Sequence, residues 1–239
     1  MAAVTLLSTQ HISRHFGGLR AVENVNFSLN EGEIRALIGP NGAGKTTLVS
    51  LLCGRIPATS GSVTFAGQDV TALPAHSRIQ LGMAYTFQIT SIFAELSVLE
   101  NVSLAVQRRM AGRQAEIEAE ARNALGRVGL ADRAEQVAGD LAYGHQRLLE
   151  IAMGLGQKPR LLILDEPTQG LSDGEVQSFI DLIKDVAKDT TVLLIEHNIK
   201  VVMALADRIT VLNFGEIIAE GTPEDIKANK AVQTAYLGA

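Results

Sequence analysis

The octapeptide Gly39-Pro40-Asn41-Gly42-Ala43-Gly44-Lys45-Thr46 has the residue types and spacing of a loop that cradles phosphates. Glycines at its first, fourth and sixth places let the backbone turn tightly and aim successive N–H groups at one phosphate. That phosphate also meets the positive end of the helix expected from Lys45. The Lys45 ammonium would neutralise β- and γ-phosphate charge, and the Thr46 hydroxyl is a hard oxygen ligand of the kind magnesium prefers. Thr47 completes the candidate nucleotide-binding set. Two acids, Asp165 and Glu166, close the apolar run 161–164. On one strand their side chains would point oppositely, so Asp165 could hold the magnesium shell while Glu166 orients or deprotonates an attacking water. Adjacent acids after a strand also begin ordinary turns; the phosphate loop in the same chain favours chemistry.

These residues need a scaffold. The apolar run 34–38 ahead of the loop and the helical pattern 45–53, stopped by Gly54 and Pro57, read as a strand, loop and helix. Further apolar strands at 161–164, 191–195 and 209–213, with helical patterns between them, predict an α/β fold with a mostly parallel sheet covered by helices. Alternation over 6–16 and 22–29, broken by Gly17-Gly18, and again over 62–66, predicts an antiparallel β part. From 97 to about 157 the pattern is helical throughout, with Ser97 and Glu100 spaced as a capping box. The charged stretch 113–127, with Glu116 and Glu120 four apart, is most simply a solvated helix face. Gly221-Thr222-Pro223-Glu224 reads as a turn into a short capped helix. The expected organisation is a single domain over 1–239. Its α/β core with the antiparallel part spans 1–88 and 157–239, and a helical subdomain spans 89–156.

At 239 residues the chain can bury one substantial core, with or without a smaller lobe. Lys and Arg number 21 against 26 Asp and Glu, and the net charge of -5 argues against nonspecific binding of nucleic acid. The single cysteine, Cys53, cannot form an intramolecular disulfide and reads as a small packing residue. No apolar stretch approaches the ~18 to 20 residues needed to cross a bilayer, and the first ten residues lack the basic flank of a secretory signal, so a cytosolic location is expected. Yet 46% hydrophobic residues and a mean hydropathy of +0.16 are high for such a chain, which suggests apolar surface covered by partners.

Six motifs follow one another along the chain: the phosphate loop; Gln88 in Thr86-Phe87-Gln88; Leu141-Ala142-Tyr143-Gly144-His145-Gln146-Arg147; the acids Asp165 and Glu166; Leu171-Ser172-Asp173; and His197 after Glu196. In these, and over nearly its whole length, the chain resembles the ATP-binding-cassette ATPases. The resemblance implies a P-loop nucleoside triphosphatase core, ATP as ligand and Mg2+ held by Thr46, Gln88 and Asp165. It implies Glu166, His197 and Gln88 as catalytic residues and Phe16 as the aromatic ring that stacks on adenine. Leu141, Ala142, Tyr143, Gly144 and His145 then correspond to the family signature that clasps the ATP of an opposite subunit, and Asp173 to an aspartate coupling the two sites. Two positions depart from the usual signature: Ala142 stands for a serine, and His145 for a glutamine or an acid. His11, His15 and His76 read as surface or structural.

The departures, with Phe16-Gly17-Gly18-Leu19, Ile195-Glu196-His197-Asn198 and Ala235-Tyr236-Leu237-Gly238, resemble the ATPases of branched-chain amino-acid importers. That group implies separate transmembrane permease subunits, a second ATPase subunit, identical or homologous, and indirectly a solute-binding protein, at the cytoplasmic face of the cell membrane and with no nucleic acid. Urea or amide importers and a lipopolysaccharide-export ATPase look alike over most of this length. Of another class are a soluble non-transport ATPase of the same superfamily and a low-turnover regulatory ATP-binding subunit.

Overall fold

Short apolar runs form buried parallel strands in this chain, and alternating runs form antiparallel ones. The computed structural model describes residues 4–86, 91–110 and 113–237. It divides into two compact units, Met1–Leu81 with Ala187–Ala239, and Gly82–Val186. The first stretch holds β1 (Thr5–Phe16), β2 (Leu19–Val25), β3 (Ser28–Asn30), β4 (Ile34–Ile38), α1 (Lys45–Leu52), β5 (Ser60–Phe65), β6 (Gln68–Asp69) and α2 (Ala75–Gln80). The second unit follows with β7 (Met83–Thr86), α3 (Val98–Gln107), α4 (Gln114–Arg127), α5 (Tyr143–Gly156), β8 (Leu161–Asp165) and α6 (Asp173–Val186). The chain then returns to the first unit with β9 (Thr191–Ile195), α7 (Ile199–Leu205), β10 (Arg208–Asn213), β11 (Glu216–Gly221), α8 (Pro223–Ala228) and α9 (Lys230–Leu237).

In the first unit, β4 runs parallel to β9 on one side and to β10 on the other, and β11 folds back antiparallel on β10. Every residue of β4 and β9 is buried, as expected of parallel strands covered on both faces. Ala36, Ile38, Ile209 and Val211 pack with Val202 of α7, Ile226 of α8 and Val232 of α9. A separate antiparallel sheet has the order β2-β1-β5-β6, with β3 also pairing with β1. Its β1–β2 hairpin closes through the Phe16↔Leu19 pair, around the expected Gly17-Gly18 turn. Buried in β4 is a charge that periodicity does not announce. Arg35 donates to Glu33 at 2.5 Å, to the Thr210 hydroxyl at 2.9 Å and to Glu220 at 2.9 Å, so the desolvated guanidinium is matched on several sides.

In the second unit, β7 and β8 pair in parallel and α3, α4 and α5 pack on one another. The capping box is present: Ser97 and Glu100 bond each other's backbone N–H groups, at 2.7 Å and 3.1 Å. The helical stretch is less continuous than its pattern suggests. Between α4 and α5 the chain makes only two single-turn 3-10 helices, Ala131–Arg133 and Ala138–Asp140, and Val137 bridges to Ser97. Gly129, at φ 73, ends the helical run because a left-handed residue cannot continue it. Among the described residues, no helix is long and apolar enough to cross a membrane.

Candidate nucleotide-binding and catalytic site

Parallel neighbours deliver their following loops to the same edge of a sheet, which is where open α/β folds bind ligands. In the first unit Leu37 of β4 is in register with Ile195 of β9, so the phosphate loop and the Glu196-His197 turn leave side by side. The loop is closed by Ala43 N–H bonding to the Pro40 carbonyl at 3.1 Å. It is pinned from outside by the β10–β11 turn, where Gly215 N–H donates to the Ala43 carbonyl at 2.9 Å. Gly44, the N-cap of α1, sits at φ 101, and a Cβ there would press on the Ala21 carbonyl oxygen of β2. With no side chain capping it, the first turn of α1, which carries Lys45, Thr46 and Thr47, keeps backbone N–H groups for an anion.

The Lys45 ammonium is buried and donates to the carbonyls of Gly39 at 2.7 Å and Pro40 at 3.1 Å. These acceptors hold the ammonium over the loop, where a phosphate would offer it stronger charge-assisted bonds. Asn41, Gly42 and Thr46 face solvent. Phe16, at the tip of the β1–β2 hairpin, is 46% exposed, unusual for an ordinary core ring. The His197 imidazole is exposed, while Glu196 beside it is fully buried and accepts the N–H groups of His197 and Asn198, both at 2.9 Å. Glu196 thus fixes the turn that presents His197, and its adjacency to the strand end was the only signal for it.

In the second unit β7 and β8 end together, Thr86 opposite Leu164. Gln88 lies outside the described residues. Asp165 is buried at the end of β8 and one of its carboxylate oxygens accepts the Tyr85 hydroxyl at 2.7 Å. Tyr85 was not foreseen, since only the pairing of β7 with β8 brings it there. Glu166 lies beyond the strand in a left-handed conformation, φ 48, so its direction is set by a strained turn and not by strand alternation. Thr46 and Asp165 both offer hard oxygens, a donor chemistry that fits Mg2+.

The signature region stands at the start of α5. Ala142 is its N-cap and provides no side-chain bond, while Leu141 is buried and Tyr143 is exposed at the first helical position. Gly144 packs under α6: a Cβ there would collide with a carboxylate oxygen of Glu175. His145 is half-buried. Glu175 accepts the N–H of Ser172 at 2.8 Å and its hydroxyl at 2.7 Å, which leaves Asp173 exposed as the first residue of α6. Those bonds, the hydroxyl first, hold the Glu175 carboxyl below its usual range, with a smaller contribution from His145. Signature and Asp173 are therefore joined within the second unit, whereas the phosphate loop, Phe16 and His197 belong to the first. Arg147 and Glu150 form a buried ion pair at 3.3 Å on α5, and Glu150 also accepts the Ser91 N–H at 2.6 Å. That bond, with Asn101 holding Phe93 at 2.8 Å and 3.0 Å, anchors the stretch 91–93.

Residues 22–169 match the family model described as ABC transporter, and residues 216–239 match that of the branched-chain amino acid ATP-binding cassette transporter. The chain is 42% identical to the high-affinity branched-chain amino acid transport ATP-binding protein LivG of Salmonella typhimurium, over 98% of both chains. Its fold is similar to that of MJ1267, an ATP-binding cassette of an ABC transporter in its ADP conformation, with a TM-score of 0.89 at 27% identity, covering 99% of this chain and 100% of that one. It is also similar to the cassette MJ0796 in a dimeric post-hydrolysis state bound to ADP and Pi, with a TM-score of 0.82 at 25% identity, covering 91% and 99%.

Proposed function

The chain belongs to the ABC transporter family as one of its ATP-hydrolysing cassettes, and from that premise we propose that it powers the uptake of branched-chain or related amino acids through separate membrane permease subunits. The observation that carries the solute class is the match of 216–239 to the branched-chain amino acid cassette model, supported by 42% identity across nearly the full length of the LivG protein. The chain works at the cytoplasmic face of the membrane, on permeases fed by a solute-binding protein. It works as a pair of cassettes, two copies or one with a homologous second chain; the dimeric MJ0796 structure supports the pairing.

In the proposed reaction, water attacks the γ-phosphorus of ATP, the bond to the β–γ bridging oxygen breaks, and ADP and phosphate leave. Glu166 accepts the proton from that water or orients it, His197 hydrogen-bonds the γ-phosphate, and Lys45 exchanges the Gly39 and Pro40 carbonyls for β- and γ-phosphate oxygens. Thr46, Asp165 and Gln88 would hold Mg2+, which supplies charge neutralisation at the phosphates when bound. The Tyr85 hydroxyl holds Asp165 in place for that purpose. The signature at Ala142, Tyr143, Gly144 and His145 closes on ATP held by the opposite subunit, and Asp173 links the two sites.

The test uses the complex of this chain with its own permease, isolated from membranes in mild detergent. Glu166→Gln keeps ATP binding and lowers phosphate release by about 10²- to 10⁴-fold, as expected when a general base is lost; unchanged turnover excludes Glu166. Deletion of the chain abolishes uptake of branched-chain amino acids. Failure of urea uptake or lipopolysaccharide export in their place overturns the solute class.

A further inference from the structure

We propose that Arg14 is a positioning residue for the base of the bound nucleotide: its guanidinium backs one face of the Phe16 ring, leaving the other face for adenine. The proposal rests on the reading of Phe16 as the stacking residue. Residues two apart on a strand share a side, and the Arg14 guanidinium carbon lies 4.5 Å from the Phe16 ring centroid, inside cation–π range. The guanidinium is itself held. Its Nη1 donates to the Pro57 carbonyl at 3.1 Å. The segment carrying that carbonyl is fastened to β1 by Thr59 N–H to the Ser13 carbonyl at 2.8 Å and by His15 N–H to the Thr59 hydroxyl at 3.0 Å.

Among the described residues, no acceptor reaches the buried Nε of Arg14. A buried donor left without a partner is unfavourable, so hydrogen-bond saturation does not explain an arginine here. The contact with the ring does. Phe16 sits at a hairpin tip and is 46% exposed, where an unsupported ring would sample several rotamers. A guanidinium clamped against one face removes that freedom before the base arrives, which lowers the ordering cost of binding. The same hairpin is referenced to the phosphate loop. Arg14 pairs with Val22 and His15 with Arg20, so Ala21, whose carbonyl abuts Gly44, is the extra residue where the register shifts between those two pairs. The sandwich of guanidinium, phenyl ring and purine therefore forms at a set distance from the phosphate cradle.

Calorimetric titration of the purified full-length chain with ATP, and separately with inorganic triphosphate, tests this, with thermal unfolding as the control for folding. Arg14→Met weakens ATP binding about three- to five-fold, the range expected for a partly exposed cation–π contact, and leaves triphosphate binding unchanged. Arg14→Lys, which keeps a cation, recovers part of the loss. In the Phe16→Ala background Arg14→Met has no further effect. Equal weakening of ATP and triphosphate, or an Arg14→Met effect that persists without Phe16, overturns the proposal. So does unchanged ATP affinity in Arg14→Met when Phe16→Ala weakens it. If Phe16→Ala leaves ATP affinity unchanged, the stacking reading of Phe16 itself fails, and the role of Arg14 with it.

Discussion

Ala142→Ser separates two functions that a serine at this place would combine. Ala142 is the N-cap of α5, with extended dihedrals of φ -58 and ψ 150, and its carbonyl already accepts the Gln146 N–H at 3.0 Å. The geometry of a cap is present and only the side-chain oxygen is missing. Because the residue is exposed, a hydroxyl can be added without displacing a neighbour, and it reaches the N–H of Gly144 or His145. An alanine-to-serine change at an N-cap stabilises by about 1 kcal/mol, which raises the unfolding midpoint by about 2 to 4 °C for a chain of this size. A hydroxyl can accept that bond and still donate one of its own. Donation to the γ-phosphate of ATP on the opposite subunit adds about 1 kcal/mol per site, so two sites tighten the ATP-bound dimer by about 30-fold. The assays are thermal unfolding without nucleotide, and sedimentation velocity with ATP in a Glu166→Gln background that prevents turnover. A raised midpoint with unchanged dimerisation assigns the hydroxyl to capping alone. If neither quantity moves, the assignment of Ala142 as both cap and phosphate-facing residue is refuted.

Two further outcomes follow from buried and capping charges. Arg35→Met leaves Glu33 buried without its guanidinium partner and destabilises the chain by about 3 to 5 kcal/mol in urea unfolding, and adding Glu33→Gln restores part of the loss; a change under about 1 kcal/mol contradicts the buried-pair account. The Glu175 carboxyl, held below its ordinary range chiefly by the Ser172 hydroxyl and then by its N–H, favours folding above the ordinary glutamate pKa, and that contribution disappears as pH falls through the lowered folded-state value. Between about pH 5 and 3, Glu175→Gln therefore flattens the acid side of the stability profile. A profile unchanged from the parent chain removes the capping role.

Local signals were legible where one element explains itself. β4 and β9 occupy the apolar runs 34–38 and 191–195, α1 begins at Lys45, the Ser97–Glu100 capping box forms, and the short helix expected after Gly221 is capped, the Thr222 hydroxyl accepting the Asp225 N–H at 3.2 Å. β11 was not foreseen, because Glu216-Ile217-Ile218-Ala219-Glu220-Gly221 does not alternate; it is a strand because β10 offers it an edge. The polar partnerships of the site were hidden for a related reason. Tyr85 and Asp165 are 80 positions apart, and Arg35 and Glu220 are 185 apart, so only folding defines these pairs. The left-handed Glu166 was equally hidden, since nothing in its residue type signals a positive φ.

The strand that carries the phosphate loop has both of its parallel neighbours, β9 and β10, from far downstream; Gly32 N–H already reaches the Thr191 hydroxyl 159 positions away. During synthesis, β4 and its glycine-rich turn leave the ribosome early and wait, unflanked, while the whole of Gly82–Val186 is made. A nascent chain shorter than about 190 residues lacks both parallel neighbours of the strand that sets that turn, and with them the Glu196-His197 side of the pocket. Cellular ATP can stabilise this fold fully only after β9 and β10 have been translated, which ties its first complete ligand contact to strands made more than 150 positions after β4.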